Sequence, residues 1–175
     1  LSHWTWNGEW LFSPRACLGY VPAANDAFTF RLATGLYYQR PFYKELRDTV
    51  TTDGNTVVQL NKDIKSQRSF QILTAMEYKF KLADRPFKFS TELYYKAQSR
   101  LNPYNVDNVK IVYYGNNCAS GYVIGADFKL YGEFVPGTDS WISFGLMKAQ
   151  MRLNGKSIPQ PTDQRYNINF FFSDY

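Results

Sequence analysis

Few groups in this chain of 175 residues could make or break a covalent bond. Its single histidine, His3, stands at the start, and Cys17 and Cys118 belong to no CxxC or Cys/His cluster. Neither a metal site nor a disulfide framework is expected. Asp127 and Glu133 share one side of an alternating run, but six residues of strand set them roughly 20 Å apart, too far for joint acid–base work. No catalytic residue, metal or cofactor is expected, and the chain is read as a non-enzyme. What remains is recognition. Tyr43, Tyr104, Tyr113 and Tyr114 lie in long polar connections where their rings could stack on a ligand, although anchoring at an interface is the plainer role. Arg31, Glu77, Lys79, Glu92, Asp127 and Lys129 occupy the polar positions of alternating runs, where they could line a substrate path or, more simply, pair with one another across strands.

The elements that carry these residues read at period two. From Ala27 to Gln39, Phe28, Phe30, Leu32, Leu36 and Tyr38 fall on one face with Thr34, and Arg31, Ala33, Gly35, Tyr37 and Gln39 on the other. Successive strand side chains point to opposite sides, so one face is apolar along its length and the other small or wet. The same alternation predicts strands over 68–82, 87–98, 121–134, 140–151 and 165–175. An earlier run over 9–21 should start properly near Arg15, because Pro14 cannot donate to a ladder. Asn7-Gly8 marks a hairpin after a strand remnant at 1–5. Short turns at 22–26, 83–86 and 135–139 alternate with long connections at 40–67, 99–119 and 152–164, the second holding a β-like piece at 109–114. Short connections at one end and long ones at the other are the pattern of an up-and-down antiparallel barrel of the outer-membrane kind. Only the Asn7-Gly8 turn falls on the wrong side.

Composition agrees. Aromatics make up 18%, with 14 Tyr and 14 Phe, yet mean hydropathy is -0.41. No apolar run of about 18 residues is present to form a transmembrane helix. A membrane barrel needs none, since its apolar residues come every second position. A soluble barrel of lipocalin type would alternate equally well, with its apolar face inward. Two features favour the membrane. Aromatic pairs such as Tyr37-Tyr38, Tyr94-Tyr95 and Tyr113-Tyr114 crowd the strand ends, and strands of about 11–15 residues suit a tilted span. The net charge of +5, from 20 basic and 15 acidic residues, is spread singly, and no nucleic-acid partner is expected. No signal peptide is read in the first residues. They look like a strand entered in mid-course, which suggests a piece of a longer chain.

The connections are more specific than the strands. The segments 35–48 (GLYYQRPFYKELRD), Tyr94-Tyr95-Lys96 with 101–108 (LNPYNVDN), Tyr113-Tyr114-Gly115, 132–141 (GEFVPGTDSW) and 161–166 (PTDQRY) run in order over nearly the whole sequence. Together they resemble TonB-dependent outer-membrane receptors, in the branch carrying a carboxypeptidase-regulatory-like domain before the plug. The resemblance implies an all-β antiparallel up-and-down transmembrane barrel of about 22 strands, of which residues 1–175 would form part of one barrel domain, about 8–9 strands. The plug domain and TonB box are absent from this sequence. It also implies a location in the bacterial outer membrane and import of a nutrient. The implied partners are outer-membrane lipid, the chain's own plug and remaining strands, the TonB complex, and a small ligand that the residues do not specify. A small self-contained outer-membrane barrel with an adhesive or structural role, and a soluble lipocalin-like ligand carrier, stand as the alternatives.

Four structural expectations follow. Phe28, Phe30, Leu32, Ile72, Phe80, Phe89, Leu93, Ile124, Phe128, Ile142, Phe144 and Phe170 should face lipid, with Arg31, Glu77, Lys79, Glu92, Asp127 and Lys129 facing the lumen. Cys17 and Cys118 should lie too far apart to bond. The turn at 84–87 should be a four-residue loop that sets Lys79 opposite Glu92, because a two-residue loop at Asp84-Arg85 would oppose Lys81 to Lys88. The long loops at 40–67 and 99–119 should lie outside the cell, the second ordered around a ligand vestibule, the first mobile at its tip, 49–55.

Overall fold

The alternation is realised as one antiparallel sheet. The computed structural model describes residues 1–52 and 55–174, and the side chains of all of these except 48–52, 55–58, 107, 110 and 174. In chain order, β1 (Ser2–Trp4) and β2 (Glu9–Leu11) form a hairpin, and β3 (Arg15–Tyr20) and β4 (Phe28–Gln39) begin the main sheet. A one-turn helix α1 (Tyr43–Leu46) leads into the hairpin β5 (Arg47–Thr52)–β6 (Asn55–Leu60). Then come β7 (Gln67–Leu82), β8 (Arg85–Leu101), the hairpin β9 (Tyr104–Asp107)–β10 (Lys110–Tyr113), β11 (Ala119–Gly132), β12 (Thr138–Leu153), β13 (Lys156–Pro159) and β14 (Tyr166–Asp174). The main sheet runs β3-β4-β7-β8-β11-β12, with β13 and β14 dividing the far edge of β12 between them. Among the described residues no strand joins β3 to β14. The sheet is therefore open, and the closed wall expected of a barrel is not formed by this chain. No described helix is long and apolar enough to cross a membrane.

Register sorts the side chains as their spacing requires. Cross-strand rows such as Phe30–Met76–Thr91–Phe128–Phe144–Ile168 and Leu32–Thr74–Leu93–Ala126–Leu146–Tyr166 make one face, and all twelve residues expected on the apolar side share it. Arg31–Ala75–Glu92–Asp127–Gly145 and Glu77–Ser90–Lys129–Ser143 belong to the other. The sheet is one layer thick, and its apolar side chains stay open: Leu18 is 65% exposed, Leu93 53% and Phe170 64%. An antiparallel sheet ordinarily buries such a face against a second layer. Here most of the fully buried groups lie instead at the loop end, in Leu11, Glu45, Leu46, Ile64, Ser66 and Asn102.

Two connections differ from expectation. The β7–β8 turn has two residues, Ala83 and Asp84, both at positive φ (50° and 62°), pairing Leu82 with Arg85. A turn with both central residues in the left-handed region matches the twist of the flanking strands, so the four-residue loop is not needed. Lys79 consequently opposes Lys88 rather than Glu92, and Pro86 sits inside β8 opposite Lys81. The Lys–Lys repulsion is eased because Lys88 leans away, its Nζ 4.4 Å from the Tyr131 ring centre on the next strand. The stretch 152–164, read as a long loop, is mostly hairpin. Asn154 and Gly155 (φ 51° and 77°) turn β12 directly into β13. Beyond it, residues 160–165 bulge opposite only 147–149, and the Asp163 carboxylate accepts the Ala149 N–H at 2.6 Å in place of a ladder partner.

Candidate functional site

The long connections converge into a cap at the end of the sheet opposite the short turns. Its centre is the Glu9 carboxylate, which accepts the Ser66 N–H at 2.9 Å and an Arg100 guanidinium N–H at 3.1 Å, joining positions 57 and 91 residues apart. Arg100 occupies a left-handed position (φ 58°) in a bulge of β8, where the register with β11 slips between Ala119 and Gly121. A non-glycine residue there is held against its own preference. Asn117 supplies the restraint, its amide donating to the Arg100 carbonyl at 2.8 Å and the Lys65 carbonyl at 3.0 Å, while its oxygen accepts the Lys65 N–H. Asn7 donates to the Ile64 carbonyl, Asn61 to that of Gly115, and Asn102 accepts the Gly115 N–H at 2.9 Å. The Asn7-Gly8 hairpin thus stands apart from the main sheet as part of this cap, which explains why its short turn breaks the alternation.

The four candidate tyrosines divide. Tyr104 and Tyr113 oppose each other across β9–β10, with ring centres 5.7 Å apart. Tyr113 is half-buried, its hydroxyl raised above the usual tyrosine range by burial, with Glu45 and Tyr104 adding to the effect. It is a packing residue of the cap. Tyr43 on α1 and Tyr114 beyond β10 are open, and the Tyr114 N–H donates to the Pro103 carbonyl. Of the tip of the first loop, Asp53 and Gly54 lie outside the described residues; β5 and β6 on either side pair in register.

Glu45 is 5% exposed. Burial raises its carboxyl above the ordinary range, opposed by side-chain donors on Gln67 and Asn102 and by the Phe42 backbone. The Gln67 amide lies 3.4 Å away, whereas the Asn102 Nδ2 forms no full hydrogen bond. The folded chain therefore binds this proton more tightly than the unfolded one. Its contribution to stability is fully present below the normal carboxylate pKa and is lost as pH rises through the raised one. The cap should resist proteolysis between residues 61 and 66 better in mild acid than at neutral pH. Glu45→Gln, which keeps an acceptor for Gln67, should flatten that dependence, and an unchanged pH profile in this variant would exclude Glu45 as its source.

On the polar face the six candidate charges form a single ion pair within the set among the described residues, Arg31 to Glu77 at 2.8 Å. Among the described residues Lys79, Glu92, Asp127 and Lys129 form no ion pair. Glu92 stands directly opposite Asp127, and Lys129 is held over the rings of Trp141 (3.9 Å) and Tyr131 (4.4 Å). Pairing across strands is thus the exception. Cys17, on β3, and Cys118, in the cap, are both free and exposed. Among the described residues no group of three His, Cys, Asp or Glu gathers as metal ligands. Sequence reasoning missed Glu9, Arg100, Asn102 and Asn117, whose roles depend on contacts between distant segments with no local signature. No protein-family model, curated protein or solved structure matches the chain.

Proposed function

We propose that this sheet is part of the wall of a larger β-barrel in the bacterial outer membrane, belonging to a TonB-dependent transporter that imports a nutrient. In this reading the apolar face meets lipid, the polar face lines the lumen, and the cap lies outside the cell beside the ligand vestibule. The observation that carries it is the single-layered, open-edged sheet with large apolar side chains exposed on one face and Glu77, Glu92 and Asp127 on the other. In this reading lipid takes the place of a second layer over the apolar face, and further strands pair with both edges. Lys79, Lys129, Glu92 and Asp127, without ion pairs among the described residues, suit a lumen occupied by the chain's own plug, and of the four candidate tyrosines Tyr43, Tyr104 and Tyr114 are exposed and could meet a ligand. The TonB complex would act through the plug.

The test is side-chain accessibility in the intact protein, in membranes, with Cys17 and Cys118 replaced by Ser. Phe144→Cys should react with a lipid-soluble thiol reagent and resist a charged one, and Glu92→Cys should do the reverse. The opposite result removes the reading. If the 175-residue chain alone inserts into liposomes as a closed monomeric barrel, a small self-contained barrel takes its place.

A further inference from the structure

On β3, β4, β7, β8, β11 and β12 the charges of the apolar face are all of one sign, and the acid in register with that face, Asp174, ends β14 at the short-turn side opposite Thr138. No Asp or Glu lies on that face of β3, β4, β7, β8, β11 or β12 among the described residues. Of its cations, Arg85 closes the short-turn end, donating to the Glu133 and Phe134 carbonyls, and the others stand at the loop-side margin: Arg68 above Phe70 on β7, and Lys148 and then Arg152 above Leu146 on β12. Arg40 comes just past the end of β4, and Arg165 just before β14. Arg165 is already paired with Asp163 at 3.0 Å, and Arg40 reaches the His3 carbonyl. Arg68 is exposed and donates only to the neutral Ser99 hydroxyl, and Lys148 is exposed without an ion pair among the described residues.

The margin is oblique. It stands at Tyr38 on β4 and Phe70 on β7 but drops to Leu146 on β12, as a level membrane surface would cut a sheet of tilted strands. Below Lys148, the short side chains of Thr74 and Ala126 leave a groove of about 620 Å³ flanked by Leu93, Tyr95, Ile124 and Leu146. An apolar groove ending at an ammonium group fits an acyl chain with an anion at its head. Arg68 lies three strands away and two rows higher, roughly 20 Å from Lys148, so the two serve separate headgroups.

We propose that the loop-side margin of the apolar face seats phosphate-bearing membrane lipids, one with its acyl chain in the Leu93–Ile124–Leu146 groove and its phosphate on Lys148, another meeting Arg68. This rests on the membrane reading above, and goes beyond it by naming the lipid class and its contacts. The protein in maltoside micelles is offered equal amounts of phosphatidylglycerol and phosphatidylcholine with matched chains, and retained lipid is weighed by native mass spectrometry. Phosphatidylglycerol should be retained preferentially. Lys148→Gln and Arg68→Gln should each reduce that preference about fivefold, Lys79→Gln on the opposite face should leave it unchanged, and inorganic phosphate should not compete. Equal retention of both lipids, a preference that survives in the double variant, or displacement by inorganic phosphate would overturn the lipid seat. A protein that stays monodisperse in water without detergent would instead remove the membrane reading, an outcome seen before any lipid is added.

Discussion

Phe144→Arg is expected to destabilise the membrane-inserted protein by about 2–4 kcal/mol. Phe144 lies midway along β12 on the apolar face, its ring stacked 6.5 Å from that of Phe128 and opposite Ile168. It is already 38% exposed. In water, replacing a side chain so open would change stability by about 0.5 kcal/mol, because the guanidinium would remain hydrated. In a bilayer the same group must be desolvated or drag water inward, which sets the larger figure. The size of the loss therefore reports the medium outside the sheet. Asn169→Arg is the control, one residue from Ile168 on the polar face, where the change forfeits only the amide's bond to Ser143 (3.2 Å), about 1 kcal/mol. Urea unfolding in lipid vesicles, followed by the mobility of the folded band, compares the two. Equal small losses would mean that the apolar face does not meet lipid.

The strands were legible because their signal is local and repeated. In β7, Phe70, Ile72 and Met76 alternate with Gln71, Ala75 and Glu77, and one such run fixes both the element and its faces. Pro14 marks the start of β3 at Arg15, but the run read over 9–21 as one strand is two, since Glu9–Leu11 pairs with β1 in a separate hairpin. Turn chemistry is legible only in part. Asn7-Gly8 marks a hairpin, and the same dipeptide at Asn154-Gly155 turns β12 into β13 within a stretch whose polar composition reads as loop. The Ala83-Asp84 turn carries no glycine, and its left-handed residues are imposed by the two long strands it joins. The cap was illegible for another reason. Glu9 reads as one acid in a hairpin and Arg100 as one base near a strand end, and only the slipped register at Ala119/Gly121 and the path of residues 61–66 bring them together. The same limit applies to the polar face, where alternation places the charges on one side but does not reveal that the two-residue turn sets Lys79 against Lys88, or that the separate β8–β11 register sets Glu92 facing Asp127.

Two glycines in this sheet should respond to the same substitution with opposite sign. Gly19, on β3, has nothing within 4 Å of an added Cβ and an ordinary backbone conformation. Gly19→Ala should therefore stabilise by about 0.4–1 kcal/mol through the lost freedom of the unfolded chain. Gly121 also has an ordinary backbone, so conformation alone predicts the same gain. Its surroundings reverse it. A Cβ there would stand 2.6 Å from the Gln150 carbonyl oxygen, part of the β12 backbone, and 2.7 Å from the Gln160 amide nitrogen. That amide reaches from the bulge across the space Gly121 leaves empty, donating to the Gln98 side-chain oxygen at 2.7 Å and to the Gln150 carbonyl at 2.9 Å. The side chain could move, but the β12 carbonyl cannot without shifting its ladder. Crowding costs about 1–3 kcal/mol and each lost hydrogen bond about 1 kcal/mol, against the small entropic gain. Gly121→Ala should therefore destabilise by about 2 kcal/mol and speed amide exchange in β13 and at Ala149, whose N–H is held by Asp163 in the same bulge. If Gly121→Ala proves as stable as Gly19→Ala, the Gln160 bridge is not closed in solution and the bulge does not tie β8, β11 and β12 together.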